Sequence, residues 1–283
     1  MATPPLEEVA RAICSGSGHS FDKKLGEGAF KEVFLITTAE KEPRALKVLK
    51  PGVASERTER EIEAMTRCRH TNIASLETVA TFVHSSVQYV YLVEEYIGGG
   101  TLDERLQKQQ ISRDALLPMG AALIDAIGHV ASNDLVHRDI KPANILFRTA
   151  DQPVLVDFGL VRDLRKSSVT VTWATCGPCT PLYASPEQLT NDKAIIGWRS
   201  DQFSLGVVLA FAGLGMHPFA RPGDDPARTV LRVEAREGPS AEFIEAATRK
   251  GLPVVIQMVG NWPVERIRKP ADLLNAWQRQ RGS

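Results

Sequence analysis

The sequence predicts an α+β fold in which strands come first and helices follow. Three observations carry this reading. Short apolar and β-branched runs separated by turn residues fill the first third, at Phe21–Ile36, Ala45–Leu49 and Val87–Val93. Apolar residues spaced three and four apart dominate after Thr101. The later Ile145–Phe147 and Val154–Val156 runs flank a turn-like Thr-Ala-Asp-Gln-Pro segment and read as a β-hairpin packed on a core.

Taken in order, residues 1–20 form an N-terminal extension in which Leu6–Cys14 predicts one or two helical turns, broken by Ser-Gly-Ser-Gly. Phe21, Leu25, Val33 and Leu35 surround Gly26 and Gly28 as strand, tight loop and strand. Neither glycine carries a Cβ, so the loop's amides can approach phosphates closely; a plain hairpin is the alternative. Ala45–Leu49 alternates as a strand around Lys47. Ser55–Arg69 reads as a helix, with Ser55 as cap, Glu56 and Glu59 in the first turn, and Ile62 and Met65 facing inward. Thr101-Leu102-Asp103-Glu104 matches a capping box. Leu116, Met119, Leu123, Ala126, Ile127 and Val130 make one buried face of a long helix. Ser200–Leu209 is apolar all round after a polar start and predicts a buried helix. A loop with a short helix at 221–238, helices near Ala241–Arg249 and Pro253–Gly260, and a last one ending near Trp277 complete the chain.

The 283 residues, 43% of them hydrophobic, suffice for a sizeable core. Lys plus Arg equals Asp plus Glu at 34 each, so no global field points to nucleic acid or an anionic membrane. The longest apolar run, within Phe203–Leu214, is shorter than the roughly 20 residues of a spanning helix. Met1–Leu6 has neither the basic start nor the apolar stretch of a signal peptide. With four cysteines, reduced thiols and a cytoplasmic location are the expectation.

The chemistry concentrates between Leu135 and Gly159. Asp139 and Asn144 precede the first hairpin strand and Asp157 ends the second, which brings two acids and an amide to one edge. Such oxygen ligands suit Mg²⁺, which keeps waters and takes one or two carboxylates together with substrate phosphates. His137-Arg138-Asp139, Lys141, Pro142 and Asn144, followed by Asp157-Phe158-Gly159, resemble the catalytic loop and metal-binding triplet of eukaryotic-type serine/threonine protein kinases.

The resemblance runs from about residue 21 to 278 and implies a bilobal fold, a β-rich lobe at 21–97 and a mainly helical lobe at 98–278 with ATP between them, then a tail at 279–283. It implies that Asp139 accepts the substrate hydroxyl proton, that Asn144 and Asp157 hold Mg²⁺, and that Lys141 stabilises the transferred group. Lys47 would orient the phosphates, with Glu61 as its partner. Leu25, Gly26, Gly28, Val33, Ala45 and Leu146 would surround ATP, and Glu95 and Ile97 would give adenine a carbonyl and an amide. Arg138 would pair with a phosphate on Ser167, Ser168, Thr170, Thr172 or Thr175, in a Ser/Thr-rich activation segment closing near Thr180. Glu187 would be buried against Arg266, or else Arg268, and Asp201 would hold the catalytic-loop backbone. Two positions depart from the pattern. Lys31 stands where a third glycine is usual, and Glu94 stands behind the adenine, where an apolar or Thr side chain is usual and a carboxylate needs a partner.

The function this implies is phosphoryl transfer from Mg-ATP to protein Ser or Thr, regulated by activation-segment autophosphorylation. A pseudokinase or scaffold is the alternative, supported by Lys31 and Glu94 alone. A small-molecule kinase would lack Arg138, Lys141 and the Ser185-Pro186-Glu187 run. Cys176-Gly177-Pro178-Cys179 has redox spacing but no thioredoxin-like setting.

Overall fold

The computed structural model describes residues 4–28, 30–52, 66, 68–157 and 181–280. Glu61 lies outside the described residues, as do Phe158, Gly159, Ser167, Ser168, Thr170, Thr172, Thr175, Cys176, Cys179 and Thr180. The chain divides into two units, one formed by residues 1–70 and 74–97, the other by 71–73 and 98–283.

The first unit is built on a five-stranded antiparallel sheet of β1 (Ser20–Glu27), β2 (Lys31–Thr37), β3 (Pro43–Leu49), β4 (Leu76–His84) and β5 (Val87–Glu95), in the order β1-β2-β3-β5-β4. Strand β4 is absent from the sequence reading above. Its residues alternate between exposed and partly buried without a strong apolar stripe, and the turn that joins it to β5 is Ser85-Ser86 rather than a glycine-containing pair. Both serines take positive φ, 50° and 64°, the mirror-image turn whose twist suits a two-residue hairpin.

Helix α1 (Leu6–Ser17) corrects the expectation of one or two turns: it has 12 residues. Leu6, Val9, Ala10, Ile13 and Cys14 recur at helical spacing, and all are buried against Phe34, Ile36, Leu46, Val48, Tyr89 and Val93 of the sheet. The Ser-Gly-Ser-Gly run does not break the helix early, because termination falls on Gly18, whose φ of 70° lets the following His19 amide bond back to the Cys14 carbonyl. Arg11 stacks over Phe21 at 3.9 Å, and Glu8 meets His84 at 3.0 Å, tying both ends of the sheet to the helix. The extension is thus part of the first unit's core.

In the second unit, Thr101 and Glu104 form the capping box of α2 (Leu102–Leu106) through reciprocal bonds of 3.0 and 2.8 Å. Helix α3 (Arg113–Ser132) is long and apolar enough to cross a membrane by length and composition. Its buried face packs on α5 (Trp198–Leu214) and α9 (Pro270–Arg279), as the core helix of this unit does. Trp277 of α9 is fully buried and donates through Nε1 to the Leu117 carbonyl at 2.8 Å. The hairpin β6 (Ile145–Thr149) and β7 (Gln152–Leu155) follows α3. Helices α4 (Pro186–Leu189), α6 (Pro226–Glu234), α7 (Ala241–Arg249) and α8 (Pro253–Met258) complete the unit among the described residues.

Deleting the Ile13 side chain beyond Cβ opens a void between α1 and the sheet. Ile13→Ala is expected to lower unfolding stability by about 2–5 kcal/mol, read as a shift of the urea midpoint at unchanged slope.

Candidate active site

The second unit presents a loop pinned from behind. Asp201, near the start of α5 and 1% exposed, accepts the His137 amide through Oδ2 at 2.7 Å and the Arg138 amide through Oδ1 at 2.8 Å. Arg138 sits at φ 67°, a conformation an L side chain adopts only at a cost, and the carboxylate opposes that cost. Gln188 Nε2 donates to the Arg138 carbonyl at 2.9 Å, so the same peptide segment is held from α4 as well. Burial pushes the Asp201 carboxyl up to about 7, against the downward pull of the two amides. The His137 ring accepts the Asp139 amide at Nδ1 (3.3 Å) and donates from Nε2 to the Val156 carbonyl (3.2 Å), as the Nε2–H tautomer allows.

These anchors place Asp139 at the start of a short turn. Asn144, 5% exposed, donates through Nδ2 to the Asp139 carbonyl at 2.8 Å and to its Oδ2 at 2.9 Å. Lys141 Nζ meets the same Oδ2 at 2.8 Å. Asp139 Oδ1 takes no hydrogen bond among the described residues, which leaves one oxygen of a positioned carboxylate open as an acceptor. The Val156 amide donates to the Asn144 carbonyl at 3.0 Å, setting Asp157 next in the chain to that bond, at φ 59°. Asn144 spends its amide nitrogen on Asp139, so its Oδ1 remains an oxygen donor for a cation. With the Asp157 carboxylate this is a pair that suits Mg²⁺. Among the described residues no group of three or more His, Cys, Asp or Glu forms an all-protein metal cage, and Mg²⁺ asks for none.

A buried ion pair anchors α4. Glu187 and Arg266 have fully buried side chains, with Nη1 to Oε1 at 2.5 Å and Nη2 to Oε2 at 3.0 Å. Ser200 Oγ donates to Glu187 Oε1 at 2.7 Å, and Arg266 also donates to the Gly260 and Arg199 carbonyls. Burial pushes the Glu187 carboxyl up, but the Arg266 fork and the Ser200 hydroxyl outweigh it and hold the carboxyl below the usual range. Just before α4, the Leu182 carbonyl accepts His217 Nε2 at 2.8 Å. His217 is packed between Phe211 and Phe219, and burial lowers its pKa from 6.5 to about 4.

In the first unit, one face of the sheet gathers Val33, Ala45, Lys47 and Glu94. The register pairs Val33 with Lys47 and Gly26 with Val33 across β1–β3. It also pairs Ala45 with Glu94 and Lys47 with Leu92, so Lys47 and Glu94 are diagonal neighbours on that face. Their side chains meet at 2.5 Å from Nζ to Oε2, in residues only 5% and 6% exposed. Glu94 therefore has the cationic partner its burial requires. A Cβ built on Gly26 meets nothing within 4 Å, and one on Gly28 meets only the Lys31 carbonyl at 3.6 Å, so the unit's own packing among the described residues does not demand glycine at either position. Leu25 lies at one of two register shifts in β1 and is 39% exposed. The Glu95 amide bonds to the Ser75 carbonyl at 2.9 Å, and Ile97 is buried at the end of the unit. Leu146 is half-buried on β6, bridged to Thr101.

Gln188 and Ser200 escaped the sequence reading. The Ser185-x-x-Gln188 spacing is a capping-box signal that finds the first, since the Ser185 amide donates to Gln188 Oε1 at 3.1 Å; nothing local marks Ser200.

A family model described as protein kinase domain matches residues 19–251. A probable serine/threonine-protein kinase of Thermomonospora curvata, PkwA, is 32% identical over 228 residues, covering 78% of this chain and 29% of that protein. Serine/threonine-protein kinase AfsK of Streptomyces griseus is 30% identical over 257 residues, 88% of this chain and 30% of its own. CBL-interacting protein kinase 11 of Oryza sativa subsp. japonica is 33% identical over 282 residues, 95% of this chain and 53% of its own. The chain spans under a third of the length of the first two of these relatives.

Two consequences of this geometry are measurable. Arg266→Met leaves the Glu187 carboxylate buried without its fork. The variant is expected to lose about 3–5 kcal/mol of stability in chemical denaturation, most of it regained in the Glu187→Met/Arg266→Met double variant. For His217, the folded state binds a proton only near pH 4, while the unfolded chain binds it from 6.5 downward. Its contribution is complete above about pH 6.5 and is lost as pH falls from there toward 4. The unfolding free-energy gap between wild type and His217→Gln should therefore narrow by about 2 kcal/mol between pH 7.5 and pH 5; a constant gap would contradict this.

Proposed function

The chain belongs to the protein kinase domain family, of the serine/threonine type, and from that premise we propose that it transfers the γ-phosphoryl group of ATP to Ser or Thr hydroxyls of proteins. The observation that carries the proposal is the Asp139 carboxylate, with Oδ2 fixed by Lys141 and Asn144 and Oδ1 open among the described residues. Asp139 accepts the substrate hydroxyl proton as that oxygen attacks the γ-phosphorus. Lys141, ion-paired to the same carboxylate, stabilises the charge of the transferring group. Asn144 and Asp157 are the residues that would hold Mg²⁺, which when bound neutralises phosphate charge.

In the first unit Lys47 orients the phosphates, and Gly26 and Gly28 let backbone amides approach them. Val33 and Ala45, on the Lys47 face, serve the adenine with Leu25, while Glu95 and Ile97 receive its polar edge through their backbone. Regulation by phosphate on Ser167, Ser168, Thr170, Thr172 or Thr175 belongs to the same reading. Arg138, whose amide and carbonyl are both held in place, is assigned to that phosphate. A reducing, cytoplasmic setting is proposed as well, supported by the free, buried thiols of Cys14 and Cys68.

Asp139→Asn keeps the size of the side chain and removes the proton acceptor. It is expected to retain the fold and ATP binding while losing at least about a hundredfold in phosphoryl transfer from radiolabelled ATP to a protein substrate. Retention of more than about a tenth of wild-type activity would reject Asp139 as the acceptor, since that loss corresponds to only about 1.4 kcal/mol.

A further inference from the structure

The Lys47–Glu94 pair is not explained by the roles assigned so far. Glu94 occupies a position where the resemblance expects an apolar or Thr side chain, yet it is 6% exposed and its Oε2 lies 2.5 Å from Lys47 Nζ. The contact is imposed by the backbone. The β3–β5 register sets Lys47 opposite Leu92 and Ala45 opposite Glu94, so the two side chains share a face two residues apart and converge. Leu49, Val90 and Leu92 form an apolar cluster on that face, and the carboxylate is costly there unless a charge meets it.

An ammonium has three donors, and one of them is given to Glu94. It also places a negative charge beside the one lysine that the proposed function assigns to negatively charged phosphates. We propose that Glu94 is a positioning and specificity-setting residue that holds the Lys47 ammonium from β5, so that nucleotide phosphates must share that ammonium with a carboxylate. The phosphates then contribute less to nucleotide affinity than they would without the Glu94 charge, and the nucleoside part contributes a larger fraction. This inference rests on the reading of Lys47 as the phosphate-orienting residue.

The readout is the ratio of the adenosine to the ATP dissociation constant, measured by titration calorimetry on the full chain. Taking the ratio within one variant cancels any general loss of binding-competent protein. Glu94→Gln keeps the side-chain shape and a hydrogen-bond acceptor for Lys47 while deleting the charge; Glu94→Met deletes both, as a second variant should the first fail to fold. Either is expected to raise the ratio about tenfold over wild type, the order expected from removing a carboxylate one ammonium away from a phosphate charge. In Lys47→Met/Glu94→Met, where the buried pair is replaced as a unit and folding is spared, the ratio should fall below wild type. If the double variant lowers the ratio but neither Glu94 variant raises it, Lys47 binds phosphate and the role given to Glu94 is overturned. If the double variant leaves the ratio unchanged, the premise on Lys47 fails and the inference fails with it.

Discussion

A charge taken out of water must be met by a partner, and the chemistry-bearing parts of this protein are arranged around buried carboxylates that obey this constraint in different ways. Asp201 is met by two backbone amides, Glu187 by a guanidinium fork and a hydroxyl, and Glu94 by a single ammonium. Each solution positions something besides itself. Asp201 holds the left-handed turn at Arg138 from which Asp139 projects, and Glu187 ties α4 to the chain near Arg266. Glu94 meets Lys47 Nζ at 2.5 Å across the β3–β5 pair. Because each carboxylate is costly when its partner is removed, its geometry is enforced more strictly than surface ion pairs would enforce it.

The chain of dependence in the second unit is short. Helix α5 is buried around nearly its whole circumference, so the place of Asp201 is decided by core packing. The loop amides follow Asp201, Asp139 follows the loop, and Asn144 and Lys141 converge on one oxygen of Asp139. Among the described residues the other oxygen stays open, as a proton acceptor requires. His137 contributes by joining the Asp139 amide to the Val156 carbonyl, one residue before Asp157. The site thus inherits its rigidity from the hydrophobic interior behind it, the arrangement that lets catalysis act through positioning and preset charge.

In the first unit the same logic acts through a sheet. Helix α1 covers one face with Leu6, Val9, Ala10, Ile13 and Cys14, leaving the other to Val33, Ala45, Lys47 and Glu94. Period-two alternation separates the two faces: Leu46 and Val48 point to the core under α1, and Lys47 between them points away. A one-residue slip of β3 would exchange these faces, so the packing of α1 fixes the register that brings Lys47 to Glu94.

The sequence by itself determined the α+β class, the Thr101–Glu104 capping box, the inward face of α3, the hairpin at Asp157 and the run from His137 to Asn144. All of these are local: a cap, a helical period or a short spacing specifies them within a few residues. The tertiary structure decided what depends on distant residues meeting. Strand β4 needed its neighbour to become visible, since its own pattern is weak, and the third turn of α1 is stabilised by a sheet formed later in the chain. The pairing of Lys47 with Glu94 depends on a strand register that neither segment encodes alone, and Ser200 reaches Glu187 only because α5 and α4 pack together. The sequence left the partner of Glu187 open between Arg266 and Arg268, and it is Arg266 whose guanidinium the fold buries against that carboxylate. Local periodicity is written in the order of residues, whereas the matching of buried charges is settled by which side chains the hydrophobic core brings within a few ångströms of one another.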